Sequence, residues 1–125
     1  EEYKRHWGEP QVIRGKNCTY VVYHYGWLHY HHWFYNNSKS KLVDPKTGAQ
    51  YMVRYAEHFP MDTYFWVHNV TRKYVRMVSV YPPLPEDVTT VDLIPGIKPA
   101  EEQLGNSSPY QVYGGLKVQQ GKVVY

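Results

Sequence analysis

The chain has one cysteine in 125 residues. That excludes an internal disulfide framework and any metal site built on several thiolates. It also lacks a block of Lys or Arg. Fourteen basic and eleven acidic residues leave a net charge of +3, and their dispersal gives no electrostatic footprint for a nucleic-acid partner. No apolar run approaches the ~20 residues of a membrane-spanning helix. Helical periodicity is nearly missing as well. The best candidate is Pro99-Ala100-Glu101-Glu102-Gln103-Leu104, opened by a proline and closed by Gly105. No Gly-x-Ser-x-Gly elbow and no Gly-rich phosphate loop occurs, so serine-hydrolase and nucleotide chemistry are not indicated. The carboxylates are scattered through turns, with no pair spaced as a glycosidase dyad. Cys18 has no visible base beside it and reads as a small, half-buried hydrophobe.

Aromatic residues are abundant: 14 Tyr, 4 Trp and 3 Phe make 17% of the chain, within a hydrophobic share of 42%. Disordered chains are poor in both, so the sequence indicates a folded core, and the length indicates one domain over residues 1–125. β-branched and aromatic runs alternate with Gly, Pro, Asn and Asp punctuation. Strands are expected from Val12, over Thr19 to Tyr25, Leu28 to Tyr35, at Leu42-Val43, and over Gln50 to Tyr55. Further strands are expected over Tyr64 to Val70, Tyr74 to Tyr81, Thr89 to Leu93, Tyr110 to Tyr113, Leu116 to Val118, and Lys122 to Tyr125. Within Thr19 to Tyr25, Val21, Tyr23 and Tyr25 share one face, and Tyr20, Val22 and His24 the other. Asp44-Pro45-Lys46-Thr47-Gly48 reads as a turn, and Gly114-Gly115 as a bulge or tight turn. Pro82-Pro83-Leu84-Pro85 donates no ladder bonds at its three prolines and is expected to carry the chain between sheets. Seven to nine short strands at this spacing point to an all-β sandwich or barrel. Four Asn-x-Ser/Thr matches, at Asn17, Asn36, Asn69 and Asn106, read as polar turns.

Two constellations are candidates for binding. Trp27, Trp33 and Tyr35 share a strand face in the run 27–35 and make an aromatic strip suited to sugar rings or peptide. His29 and His31 share that parity. With His24 brought alongside by a hairpin at Gly26, they form a candidate Zn²⁺ or Cu²⁺ site. Two same-face histidines with no carboxylate in the strand fall short of the usual three ligands, so no cofactor is expected. Trp7 and Trp66 read as core or cover.

One set of segments goes further. Ser40-Lys41-Leu42-Val43-Asp44-Pro45-Lys46-Thr47-Gly48-Ala49-Gln50-Tyr51 is followed by Val80-Tyr81-Pro82-Pro83-Leu84-Pro85 and Val91-Asp92-Leu93-Ile94-Pro95-Gly96. Thr19 to Tyr25 precedes them and Tyr110 to Leu116 follows. Together they resemble a small extracytoplasmic β-sandwich of Bacteroides-type envelope proteins. That module stands alone in lipoproteins and also precedes thioredoxin-like domains. The resemblance covers residues 10 to 118. It implies an immunoglobulin-like antiparallel sandwich in the periplasm or on the outer cell surface, a lipid anchor on an upstream segment, and no catalytic residues. The chain departs from the pattern in having no Cys-x-x-Cys, so redox chemistry is not carried over. The expected role is a non-catalytic envelope module with a protein or glycan partner.

Overall fold

A computed structural model describes residues 9–26, 32–67, 74–96 and 112–121. Among them the chain is all-β, with ten strands and no helix. None of these residues forms a helix long and apolar enough to cross a membrane. Strand β2 (Thr19–Gly26) and strand β8 (Tyr74–Tyr81) are the longest neighbours. They pair antiparallel over their full length, from Thr19 opposite Tyr81 to Gly26 opposite Tyr74. Both are runs of β-branched and aromatic residues, which fit a pleated surface packed on both sides. Strand β1 (Gln11–Arg14) lies beside β2. Outward from these run β10 (Tyr113–Gln120), β9 (Thr90–Ile94), β4 (Lys41–Val43) and β5 (Gln50–Met52). On the far side of β8 lies β6 (Tyr55–Ala56). The order is β5-β4-β9-β10-β1-β2-β8-β6, and a separate ribbon pairs β3 (His32–Tyr35) with β7 (Tyr64–Val67).

The eight-stranded sheet is curled. Its outermost strands, β5 and β6, are joined by Val53 and Arg54 alone. Eight strands laid flat span about 34 Å, whereas the steps from Met52 to Tyr55 reach about 11 Å at most. The sheet therefore turns until its edges meet. Two backbone bonds hold the joint: Val53 N–H donates to Ser40 O at 3.0 Å, and Arg54 N–H to Val80 O at 2.7 Å. One core fills the inside. Val12, Val21 and Ser79 stand in register across β1, β2 and β8, and the two valines pack in one cluster with Leu42, Leu93 and Leu116 from the other half. Leu84 and Val88, from the proline-rich segment after β8, cap one end of that core. A smaller cluster of Ile13, Val22 and Val78, with Tyr20 against it, lies on the opposite face of β1, β2 and β8.

Two expectations are corrected. The sheet is mixed rather than antiparallel, because β1 runs parallel to β10, Val12 opposite Val118 and Arg14 opposite Gln120. Curling brings the first and last described strands side by side, and the number of chain reversals between them gives both the same direction. The described residues also form ten strands rather than seven to nine. The run Gln50 to Tyr55 is two short strands on opposite edges, not one.

The turn chemistry follows the sequence closely. Asp44 is buried, and its carboxylate accepts from Lys46 N–H at 3.0 Å and from the Thr47 hydroxyl at 3.0 Å. Gly48 takes the left-handed angle, φ 78°, that a side chain disfavours. In β10 the register slips by one residue between Tyr113, opposite Leu93, and Leu116, opposite Val91. Gly114-Gly115 form that bulge, and Gly115 N–H donates to Asp92 Oδ1 at 2.9 Å.

Candidate functional site

The β3–β7 ribbon is built almost wholly of aromatic residues. Trp33 stands opposite Trp66, Phe34 opposite Phe65 and Tyr35 opposite Tyr64. Cross-strand aromatic pairs are among the favourable ones in antiparallel strands. An isolated two-stranded ribbon is nevertheless marginal in water, so one face must be packed. Phe34 is buried and stacks on Phe65 with centroids 5.9 Å apart. Phe59 stacks on Phe65 at 5.0 Å, and its backbone bridges to Ala56 of β6. A row of three phenylalanines thus ties the ribbon to the edge of the main sheet.

Side-chain alternation puts the tyrosines and Trp66 on the other face. Tyr35 and Tyr64 meet edge to face at 5.0 Å with an interplanar angle of 62°. Tyr35 is half-buried, whereas Tyr64 is 52% and Trp66 56% exposed.

The ribbon's base is fastened by hydrogen bonds between 36–38 and 60–62. Asp62 N–H donates to Asn36 O at 2.7 Å, Ser38 N–H to Asp62 Oδ1 at 2.9 Å, and Asn36 Nδ2 to Pro60 O at 3.4 Å. Asp62 sits at φ 58°, a conformation that aspartate tolerates better than most residues. The Ser38 hydroxyl first, then its backbone N–H and the Lys39 charge, hold the Asp62 carboxyl below its usual 3.8. A lowered folded pKa adds stability that is present above the unfolded value and is lost as pH falls through the folded one. The Ser38 amide proton shift, followed by NMR from pH 6 to 2, is therefore expected to titrate with a midpoint below 3.8. It should lose that transition in Asp62→Asn. A midpoint at or above 3.8 would show that the latch does not form.

The candidates from the sequence separate here. Tyr35 lies on the exposed-face side of the ribbon, and Trp33 faces Trp66 in backbone register. Trp27, His29 and His31 lie outside the described residues, as do Trp7, the candidate helix at 99–105 and the strand at 122–125. His24 is half-buried on β2, where Arg76 Nε donates to its Nε2 at 3.0 Å, so that ring lone pair is occupied. The expected pairing of β2 with the following strand through Gly26 is corrected. β2 pairs with β1 and β8, and β3 with β7. Among the described residues no three His, Cys, Asp or Glu side chains converge as metal ligands. Cys18 is half-buried in the β1–β2 loop and hydrogen-bonds the Tyr20 hydroxyl, which with electrostatic repulsion between the two groups and burial pushes the Tyr20 phenol up to about 12.

Comparison with family models, curated proteins and solved structures gave no match to this chain. Its site is therefore read from geometry alone. The residues missed at the sequence level are Tyr64 and Trp66; Trp66, read as core or cover, is exposed. The available signal was parity: Tyr64 and Trp66 alternate with Phe65 as Trp33 and Tyr35 do with Phe34. Only the ribbon pairing gives that parity a meaning.

Proposed function

We propose that the chain is a non-catalytic interaction module of immunoglobulin-like type, and that the exposed face of the β3–β7 ribbon is its contact surface. The carrying observation is that face: Tyr64 and Trp66 stay more than half exposed on a ribbon anchored by stacked phenylalanines and a three-bond latch. Large exposed aromatic groups on a rigid support are costly to leave in water and suit a partner.

The strand order supports the immunoglobulin-like reading. With β1, β2, β8 and β6 named A, B, E and D, and β10, β9, β4 and β5 named G, F, C and C′, the order matches the strand sequence of such a domain. β3 then belongs to the B–C connection and β7 to the D–E connection. Gly26, at the end of β2, is paired with Tyr74, at the start of β8, so both connections leave from the same end, where sandwich domains carry binding loops. Placement outside the cytoplasm, in the periplasm or on the outer cell surface, rests on the resemblance to envelope modules. The non-catalytic part rests on the sequence, which sets no nucleophile beside a base.

The test is surface mapping by NMR with soluble cell-wall fragments, both glycan and peptide, on the wild type and on Tyr64→Ala/Trp66→Ala. The expected result is that ligand-induced shifts centre on residues 32–35 and 64–67 and vanish in the double variant. Turnover of a hydrolase or redox substrate that one point substitution abolishes would overturn the reading, as would binding that ignores the double variant.

A further inference from the structure

We infer that the ribbon face is a subsite for a neutral oligosaccharide, with consecutive sugar rings seated on Tyr64 and Trp66; this rests on the ribbon being the contact surface. Three observations select that occupant. The first is charge. One residue in five of the chain is charged, yet His32-Trp33-Phe34-Tyr35 and Tyr64-Phe65-Trp66-Val67 contain no Asp, Glu, Lys or Arg. The nearest carboxylate along the chain, Asp62, is engaged by Ser38 at the base. The two strands supply no Lys or Arg for a phosphate or uronate and no carboxylate for an ammonium.

The second is area. Two four-residue strands offer a face about 14 Å long and about 10 Å wide, on the order of 140 Å². A stable protein–protein contact takes about 800 Å² from each side. A face of those dimensions falls short of that by itself, but it accommodates a few sugar rings.

The third is chemistry. Tyr64 and Trp66 are two residues apart on one strand and so lie about 7 Å apart along it. Each offers a flat apolar ring with a polar handle, the Tyr hydroxyl and the indole N–H. A pyranose is the complement, with C–H groups on its face and hydroxyls on its rim. An extended peptide joins a sheet through a strand edge and its backbone bonds instead, whereas Tyr64 and Trp66 are presented on the ribbon's face. Tyr and Trp also lose little rotamer freedom on binding, and the Tyr35–Tyr64 contact holds Tyr64 beforehand.

The test is titration calorimetry, with NMR of the indole N–H signals. The probes are cellohexaose, mannohexaose and chitohexaose, with hexagalacturonate and an extended hexapeptide as comparators. Wild type, Tyr64→Ala, Trp66→Ala, Trp66→Phe and Tyr55→Ala are compared after thermal melts show each is folded. Tyr55 is the control, exposed on β6 and outside the ribbon. At least one neutral hexasaccharide is expected to bind, with affinity falling about tenfold in Tyr64→Ala and Trp66→Ala. It should recover in Trp66→Phe and stay unchanged in Tyr55→Ala. Failure of all three neutral sugars to bind at millimolar concentration overturns the inference, as does tighter binding of hexagalacturonate. If the hexapeptide alone binds and Trp66→Ala abolishes it, the ribbon remains the contact surface and the sugar assignment falls. If a probe binds equally to wild type and Trp66→Ala, both fall.

Discussion

Leu93→Ala is expected to lower the stability of the fold by roughly 2–5 kcal/mol, the range for removing a fully buried leucine side chain. Leu93 is 0% exposed. It stands on β9 in register with Leu42 on one side and Tyr113 on the other, within the cluster that includes Val12 and Val21 from across the curl. A flat sheet could settle against such a gap. Here the two edges are already joined through Val53 and Arg54, so the walls have little freedom to close in and the cost should lie in the upper half of that range. For a domain of this size the melting temperature should fall on the order of 10 °C. The comparison is Met52→Ala, at a site 43% exposed on the edge strand β5, where the loss should stay near 0.5 kcal/mol. Calorimetric melts of both decide it. Equal losses would mean that the interior does not lie where β9, β4 and β10 enclose it.

Arg14→Ala is expected to cost about 3 kcal/mol, through a different kind of interaction. Arg14 ends β1 at the same alternation as Val12, and so reaches toward the capped end of the core. Its Nη1 donates to Leu84 O at 2.8 Å and to Pro85 O at 3.2 Å, and its Nη2 to Val88 O at 2.7 Å. The segment after β8 has three prolines and therefore three residues without an N–H, and its carbonyls find no ladder to join. One planar guanidinium supplies a fork of donors for three of them, a geometry that an ammonium cannot match. Arg14→Lys should recover less than half of the loss. The local readout is hydrogen exchange at Val88, whose N–H donates to Pro85 O at 3.0 Å. Its protection should fall in both variants more than that of Val21 in the central strand. Unchanged protection at Val88 would show that the segment holds its shape without the clamp.

These sites show what could be read from the chain and what could not. Thr19 to Tyr25 and Tyr74 to Tyr81 alternate so regularly that both strands, and the faces of Val21 and Val22, follow from local pattern. Asp44-Pro45-Lys46-Thr47-Gly48 and Gly114-Gly115 carry their conformations in their own backbone preferences, and both form as expected. Asp92 accepts from Gly115 N–H at that bulge. The division of Gln50 to Tyr55 was not legible. Nothing at Val53 or Arg54 breaks the alternation, and only the curl of the whole sheet sends the two halves to opposite edges. The ribbon was hidden for a similar reason, since its strands are separated by 28 residues, Asn36 to Thr63. Tyr35 was found as a binding candidate because its own run is aromatic. Tyr64 and Trp66 could be recognised only once Phe34 and Phe65 had been placed face to face.

The parallel pairing of β1 with β10 has a mechanical consequence. The chain enters β1 at Gln11 and leaves β10 at Gln120, at opposite ends of the shared stretch in which Val12 faces Val118 and Arg14 faces Gln120. Tension drawn through the two strands from those points slides one along the other, so it loads the rungs between them together. An antiparallel pair tugged from adjacent ends would instead give way one rung at a time.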